Sequence, residues 1–369
     1  MHIVALGLAL ALSAQQGPGP NRGREKPMDV QMTIDDYNPK SLLVVPEHKV
    51  PRAKYPFVDV HNHQNRASGA ALDKLVKEMD DINMGVMVNL TGRYGKNLAE
   101  NVQAQKGKYP KRFVIFANIN FENLDDPGYA DKAGKQLEED IRNGAQGLKI
   151  FKNFGMDLKD AKGRVTVDDP RFDKVFEVCG KHKIPVLIHT AEPLGLFLPM
   201  DGNNERWLEL KLHPGRGRTP DKYPLWENLM AEQHRLFAKH PKTTFIAAHF
   251  GWFGHDLGKL GQLLDKMPNM MIEFGAIVEE LGRQPRTARA FFIKYQDRIL
   301  FGKDTYRKEE YGTYFRTLET GDEYFDHDRK YHGIWKMYGL DLPDEVLRKV
   351  YYKNALRIIP GIDKSGFPK

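Results

Sequence analysis

Between Phe57 and Tyr306 the chain repeats one figure eight times: a short apolar, β-branched run, then a longer amphipathic stretch. The short runs are "FVDVHNH" (57–63), "GVMVNLT" (85–91), "FVIFANI" (113–119), "QGLKIFK" (146–152), "IPVLIHT" (184–190), "TTFIAAHFG" (243–251), "NMMIEFGA" (269–276) and "RILFGKDTY" (298–306). The longer stretches carry helical spacing. In "ALDKLVKEMDDIN", for example, the apolar positions are Leu72, Leu75, Val76 and Met79. Regular strand–helix alternation predicts parallel strands joined by helical crossovers. Near-continuous apolar strands predict a sheet covered on both faces. An open doubly wound sheet could use eight such strands, and so could a closed (β/α)8 TIM barrel.

The polar residues favour the barrel, in which a site is assembled from the C-terminal strand ends. Strand one ends in His61 and His63, strand four in Lys149, strand five in His189, strand six in His249 and strand eight in Asp304. The H-x-H triplet alone says little in a chain with 13 histidines among 369 residues. On a strand, however, positions i and i+2 share a face, so His61 and His63 would project together. Four strand-end histidines and an Asp on the last strand offer borderline N/O donors suited to a metal such as Zn²⁺. His182, His213, His234, His240, His255, His327 and His332 fall in helices or loops, where solvated or capping roles are the default.

Hydrophobic content of 41% and charged content of 28% are those of a soluble globular chain. The net charge of +7 is spread over interleaved basic and acidic residues, which argues against a nucleic-acid partner. Cys179 is the only cysteine, excluding an internal disulfide and any Cys-rich metal site. Residues 1–14, with the apolar run Ile3–Ala14, read as a secretory signal peptide and predict export to the periplasm or medium. A buried N-terminal helix is the alternative, since only the α-amine and His2 supply a basic n-region. Residues 15–54 read as a linker or surface arm and 55–362 as the barrel domain. Within it, 191–240 reads as a lid-like insertion. No later segment is apolar enough to span a membrane, and the sequence is compatible with a homo-oligomer.

The motifs "VDVHNH", "GLKIFK", "PVLIHT", "FIAAHFG", "ILFGKD" and "VLRKVYYKNALRIIPG" resemble those of the amidohydrolase superfamily over residues 55–360. More closely, they resemble its amidohydrolase-related (amidohydrolase 2) group, which includes the aminocarboxymuconate semialdehyde decarboxylase-like enzymes. The resemblance implies one divalent metal ion, usually Zn²⁺, held by His61, His63, His189 and Asp304. It also implies a strand-six His249 that contacts substrate or water as an acid/base. Asp304 would take a proton from the water, and Lys149 would contact an anionic substrate. In other branches of the superfamily a carboxylated lysine at this place bridges two metals, and a Lys149 that merely neutralises a carboxylate is also open. Glu192 could orient a ligand or be a plain loop carboxylate. Arg283 could clamp a substrate carboxylate or form a surface ion pair, and Glu273 is either paired inside the barrel or near the site. The expected activity is hydrolysis of a C–O or C–N bond in a small, anionic lactone, ester or amide. Non-oxidative decarboxylation is the alternative, and a metal-free binding protein is the third reading.

Overall fold

The computed structural model describes residues 28–34, 36–65 and 67–369, so the expected signal segment and the first part of the linker lie outside the described residues. The chain divides into two units at Val44/Val45. The described residues of the first unit, from Met28, are exposed and without regular secondary structure apart from a turn near Thr33. The second unit, Val45–Lys369, contains all the regular structure named below.

Its centre is eight parallel strands: β1 (Phe57–Asn62), β2 (Met84–Asn89), β3 (Phe113–Asn118), β4 (Gly147–Ile150), β5 (Val186–Ile188), β6 (Phe245–Ala247), β7 (Met270–Glu273) and β8 (Ile299–Leu300). They pair in chain order, β1 to β8. First and last strands then meet: the Val60 N–H donates to Phe301 O (2.9 Å), the Asp304 N–H to His61 O (2.7 Å), and Asn62 and Asp304 form a parallel bridge. The result is a nearly closed barrel ringed by helices, as the strand-end residues had favoured. Helix Gly69–Asp81 buries Leu72, Leu75, Val76 and Met79 against it, the four positions of its apolar stripe.

Strands β4 to β8 are shorter than their apolar runs, and soon after β5 to β8 end the chain enters left-handed geometry. Ala191, His249, Phe250, Ala276 and Asp304 all have positive φ (62°, 56°, 54°, 53° and 80°). Non-glycine residues adopt that region only where the surroundings over-determine it, and such positions concentrate at functional sites. The turn bends the backbone out of the ladder, leaving His249 and Asp304 beside the strand-one histidines, while Phe250 packs on Phe274, Phe291 and Phe292.

The 191–240 stretch divides in two. Residues 191–225 form an irregular excursion with one short α-helix, Trp207–Leu212, and two 3-10 turns, whereas Trp226–Lys239 is the ordinary crossover helix into β6. Buried Arg206 pins the excursion, its guanidinium 3.2 Å from Glu209 and 2.8 Å from Glu280. The barrel unit also begins before Tyr55: Ala53 is buried and its N–H donates to Ile82 O, while the His48 N–H donates to Asp322 Oδ2. At the other end, buried Asn354 donates from Nδ2 to Gln296 O and Ile299 O, both at 2.7 Å, and so fixes where β8 starts. No helix among the described residues is long and apolar enough to cross a membrane.

Candidate active site

The end of β1 presents His61 and His63 in fixed orientations. His61 is fully buried, and its Nδ1–H donates to Glu273 Oε1 at 2.8 Å. His63 Nδ1 pairs with Thr91 Oγ1 at 2.9 Å. With both Nδ1 atoms engaged, each imidazole turns Nε2 inward, and both Nε2 atoms lie 3.5 Å from the same oxygen, Asp304 Oδ1. That spacing is the edge of a tetrahedral zinc site, about 3.4 Å for bonds near 2.1 Å. Burial, with Lys149 adding to it, holds His61 well below its ordinary pKa and lowers His63 to about 4. Neutral imidazoles with their lone pairs inward are the ligand form, so these residues fit a divalent cation.

His249 approaches from the other side. Its Nδ1–H donates to Gly275 O at 2.6 Å, leaving Nε2 as the acceptor for His189 Nδ1 at 3.2 Å. Burial and the neighbouring His189 bring His249 down to about 4, and burial lowers His189 as well. His61, His249 and Asp304 form the tightest group, with one ligand-capable atom of each within 4.8 Å of the others. His189 stands just behind His249, and its buried Nε2 has no hydrogen-bond partner. Trp252 stacks on His249 with ring centroids 4.3 Å apart. The same indole lines a cavity of about 240 Å³ together with Leu194, Leu198 and Ile277, which offers an apolar surface beside the imidazoles.

Lys149 is 1% exposed and its Nζ sits 3.4 Å from His61 Nε2, which makes it the cation of this cluster. Burial lowers its pKa to about 8, against the pull of Asp304 and Glu273. Glu192 Oε2 lies 3.8 Å from His189 Nε2, and Oε1 accepts from Lys152 and, at 3.0 Å, from Arg218. Arg283 is not brought to the histidines. Its guanidinium is bidentate on Glu205 (2.8 and 3.0 Å), pairs with Glu280 and stacks over Trp335 at 4.0 Å. This is the ion-pair role that the sequence left open for it.

Glu273 resolves into a positioning group. Besides His61 it accepts from the His249 N–H (Oε1, 2.8 Å) and the Gly275 N–H (Oε2, 2.6 Å), tying β1, β6 and β7 together. Four contributors were not singled out from sequence: Asp59, Thr91, Lys152 and Arg218. Asp59 accepts from the His61 and Lys303 N–H groups (both 3.1 Å) and from Tyr311 OH (2.7 Å), linking β1 to the segment that carries Asp304. Burial pushes its carboxyl up to about 6, against those hydrogen bonds. The signal was present, a charge inside an apolar strand, as it was for Glu273. Nothing local marks Thr91, Lys152 or Arg218.

The sequence profile of the amidohydrolase family matches residues 48–361. No curated protein matches the chain. Among solved structures it is similar to an uncharacterised TIM-barrel protein from Bordetella bronchiseptica, at 16% identity and a TM-score of 0.50 over 83% of this chain and 99% of that one. It is also similar to a crystal structure described as an amidohydrolase II, at 14% identity and a TM-score of 0.50 over 82% and 99%. At such identities these likenesses establish the barrel fold.

Proposed function

We propose that this chain, which belongs to the amidohydrolase family, is a metal-dependent hydrolase cleaving a C–O or C–N bond in a small anionic lactone, ester or amide. The observation that carries the reading is Asp304 Oδ1 standing 3.5 Å from two inward Nε2 atoms whose outer nitrogens are already engaged. His61, His63, His189 and Asp304 would hold one divalent ion, with zinc favoured by the donor set. Such an ion acidifies water and polarises a carbonyl. Asp304 then serves as the base that takes the water's proton. His249, its Nδ1 fixed on Gly275 O, would release Nε2 from His189 Nδ1, 3.2 Å away, to pass a proton to the leaving group. Lys149, Lys152 and Arg218 supply positive charge for an anionic substrate, and the wall around Trp252 takes its apolar part.

The test is metal analysis of the purified protein with a panel of carboxylate-bearing lactones, esters and amides, CO₂ release being followed in parallel. Chelation should abolish turnover and zinc should restore it. His189→Ala should lose the metal, whereas His249→Ala should keep it and lose about 10²–10⁴ in kcat. The reverse pattern would exchange the two histidines' roles. Metal-free protein whose activity survives His189→Ala overturns the proposal, and CO₂ release without hydrolysis makes the enzyme a decarboxylase.

A further inference from the structure

We propose a second divalent-cation site, built by Glu279, His327 and His332, that takes a zinc-class ion and fastens the loop after β8 to the helix after β7. Glu279 lies in helix Val278–Gly282 and is 1% exposed, yet neither of its carboxylate oxygens has a hydrogen-bond partner. His332 Nδ1, also buried and without a partner, lies 3.6 Å from Oε1, and His327 Nε2 lies 3.8 Å from Oε2. One ligand-capable atom from each residue falls within 4.8 Å of the others. A tetrahedral zinc site needs edges of about 3.4 Å; each imidazole already stands near that distance from one carboxylate oxygen, and an ion would draw the three groups together from within 4.8 Å.

A buried carboxylate whose oxygens accept no hydrogen bond is costly unless positive charge completes it. Arg206 supplies part of that charge, its Nη2 forming an ion pair with Glu279 Oε1 at 3.5 Å, while its hydrogen bonds go to Glu280 and Glu209 and leave both Glu279 oxygens without a donor. Two imidazoles and one carboxylate are a borderline N/O set suited to zinc, with a water completing four-coordination.

The neighbouring architecture suits a fastener. Phe325 and Met337 exchange backbone hydrogen bonds (3.0 and 2.8 Å), so residues 326–336 leave and return at one point. Trp335 Nε1–H donates to Glu279 O at 3.0 Å, laying this loop on the helix that carries the carboxylate. Arg329, in the same loop, reaches Glu310, which also binds Lys303, the residue beside Asp304. The ion would thereby steady one wall of the barrel mouth. This inference does not depend on the hydrolase reading.

Crystals of the full chain grown with zinc chloride provide the direct test, with data collected on both sides of the zinc absorption edge. An anomalous peak within about 2.2 Å of Glu279, His327 and His332 is expected. An ordered loop without a peak, with zinc in excess, overturns the site. In solution, Glu279→Gln and the double variant His327→Ala/His332→Ala should each bind about one zinc fewer than the parent by equilibrium dialysis, whereas His61→Ala should retain this ion. Glu279→Gln keeps the side chain's shape, so its circular dichroism separates loss of the site from loss of the fold. An unchanged zinc count in that folded variant refutes the proposal.

Discussion

Replacing Glu273 by glutamine tests whether one buried carboxylate orients the site. Glu273 has no exposed surface, and its two oxygens accept three N–H groups, from His61, His249 and Gly275. An amide keeps only one oxygen. Placed over His61 and His249, it leaves its NH₂ opposed to the Gly275 N–H, which stands 2.6 Å from the native Oε2. That clash of donors costs about 1–3 kcal/mol, and the two retained bonds each lose about 1 kcal/mol of charge assistance. Relief from burying a charge offsets part of the sum, so the folded state should lose about 2–4 kcal/mol. Urea unfolding with a chelator present measures this without any metal contribution. The reoriented His61 should also weaken zinc about 10–100-fold in a competition titration, the usual effect of removing a ligand's outer hydrogen-bond partner. A folded Glu273→Gln protein within about 0.5 kcal/mol of the parent, with zinc affinity inside about threefold, would refute the positioning role.

Gly302→Ala should act on the same group from behind, because a Cβ there would meet Glu273 Oε2 at 2.1 Å and His61 Cβ at 3.0 Å. Overpacking of that kind costs about 1–3 kcal/mol in thermal or urea unfolding, and zinc affinity should fall with it. His234 is lowered to about 4, by burial first, and its buried Nε2 has no partner. The unfolded chain therefore binds the extra proton between about pH 6.5 and pH 4, and stability falls as pH falls through that window. His234→Phe should remove about 2 kcal/mol of the stability difference between pH 7 and pH 4.5, read from urea midpoints. Asn354→Ala strips two hydrogen bonds from the carbonyls of Gln296 and Ile299. It should cost about 2–4 kcal/mol, with zinc binding per folded molecule unchanged.

Much of the barrel was legible because its determinants are local. The stripe Leu72, Leu75, Val76 and Met79 needs only its own helix to be recognised, and β1 to β3 are apolar runs near the length of the strands they form. The later strands are shorter than their runs, and after β6, β7 and β8 the residues His249, Ala276 and Asp304 take left-handed backbone geometry, which tertiary packing imposes and composition does not announce. The strand-end histidines could be picked out because a barrel gathers strand ends. Their orienting partners could not, since the His61–Glu273 contact joins residues 212 positions apart. Arg283 shows the same limit: its role depends on Glu205 and Glu280, and only the folded excursion brings Glu205 within reach. His327 and His332 carried a default solvated reading, whereas His332 is buried against an unpartnered carboxylate.

The seam between β1 and β8 has a consequence for biosynthesis. Asn62 and Asp304 become neighbours only when the first and last strands of the sheet meet. Their contact therefore carries one of the largest loop-closure costs in the domain and belongs late in folding. A nascent chain emerging from the ribosome would hold His61, His63 and His189 long before Asp304 exists. Chemistry at the barrel mouth is thus withheld from every incomplete chain, and the step that seals the cylinder also delivers the carboxylate.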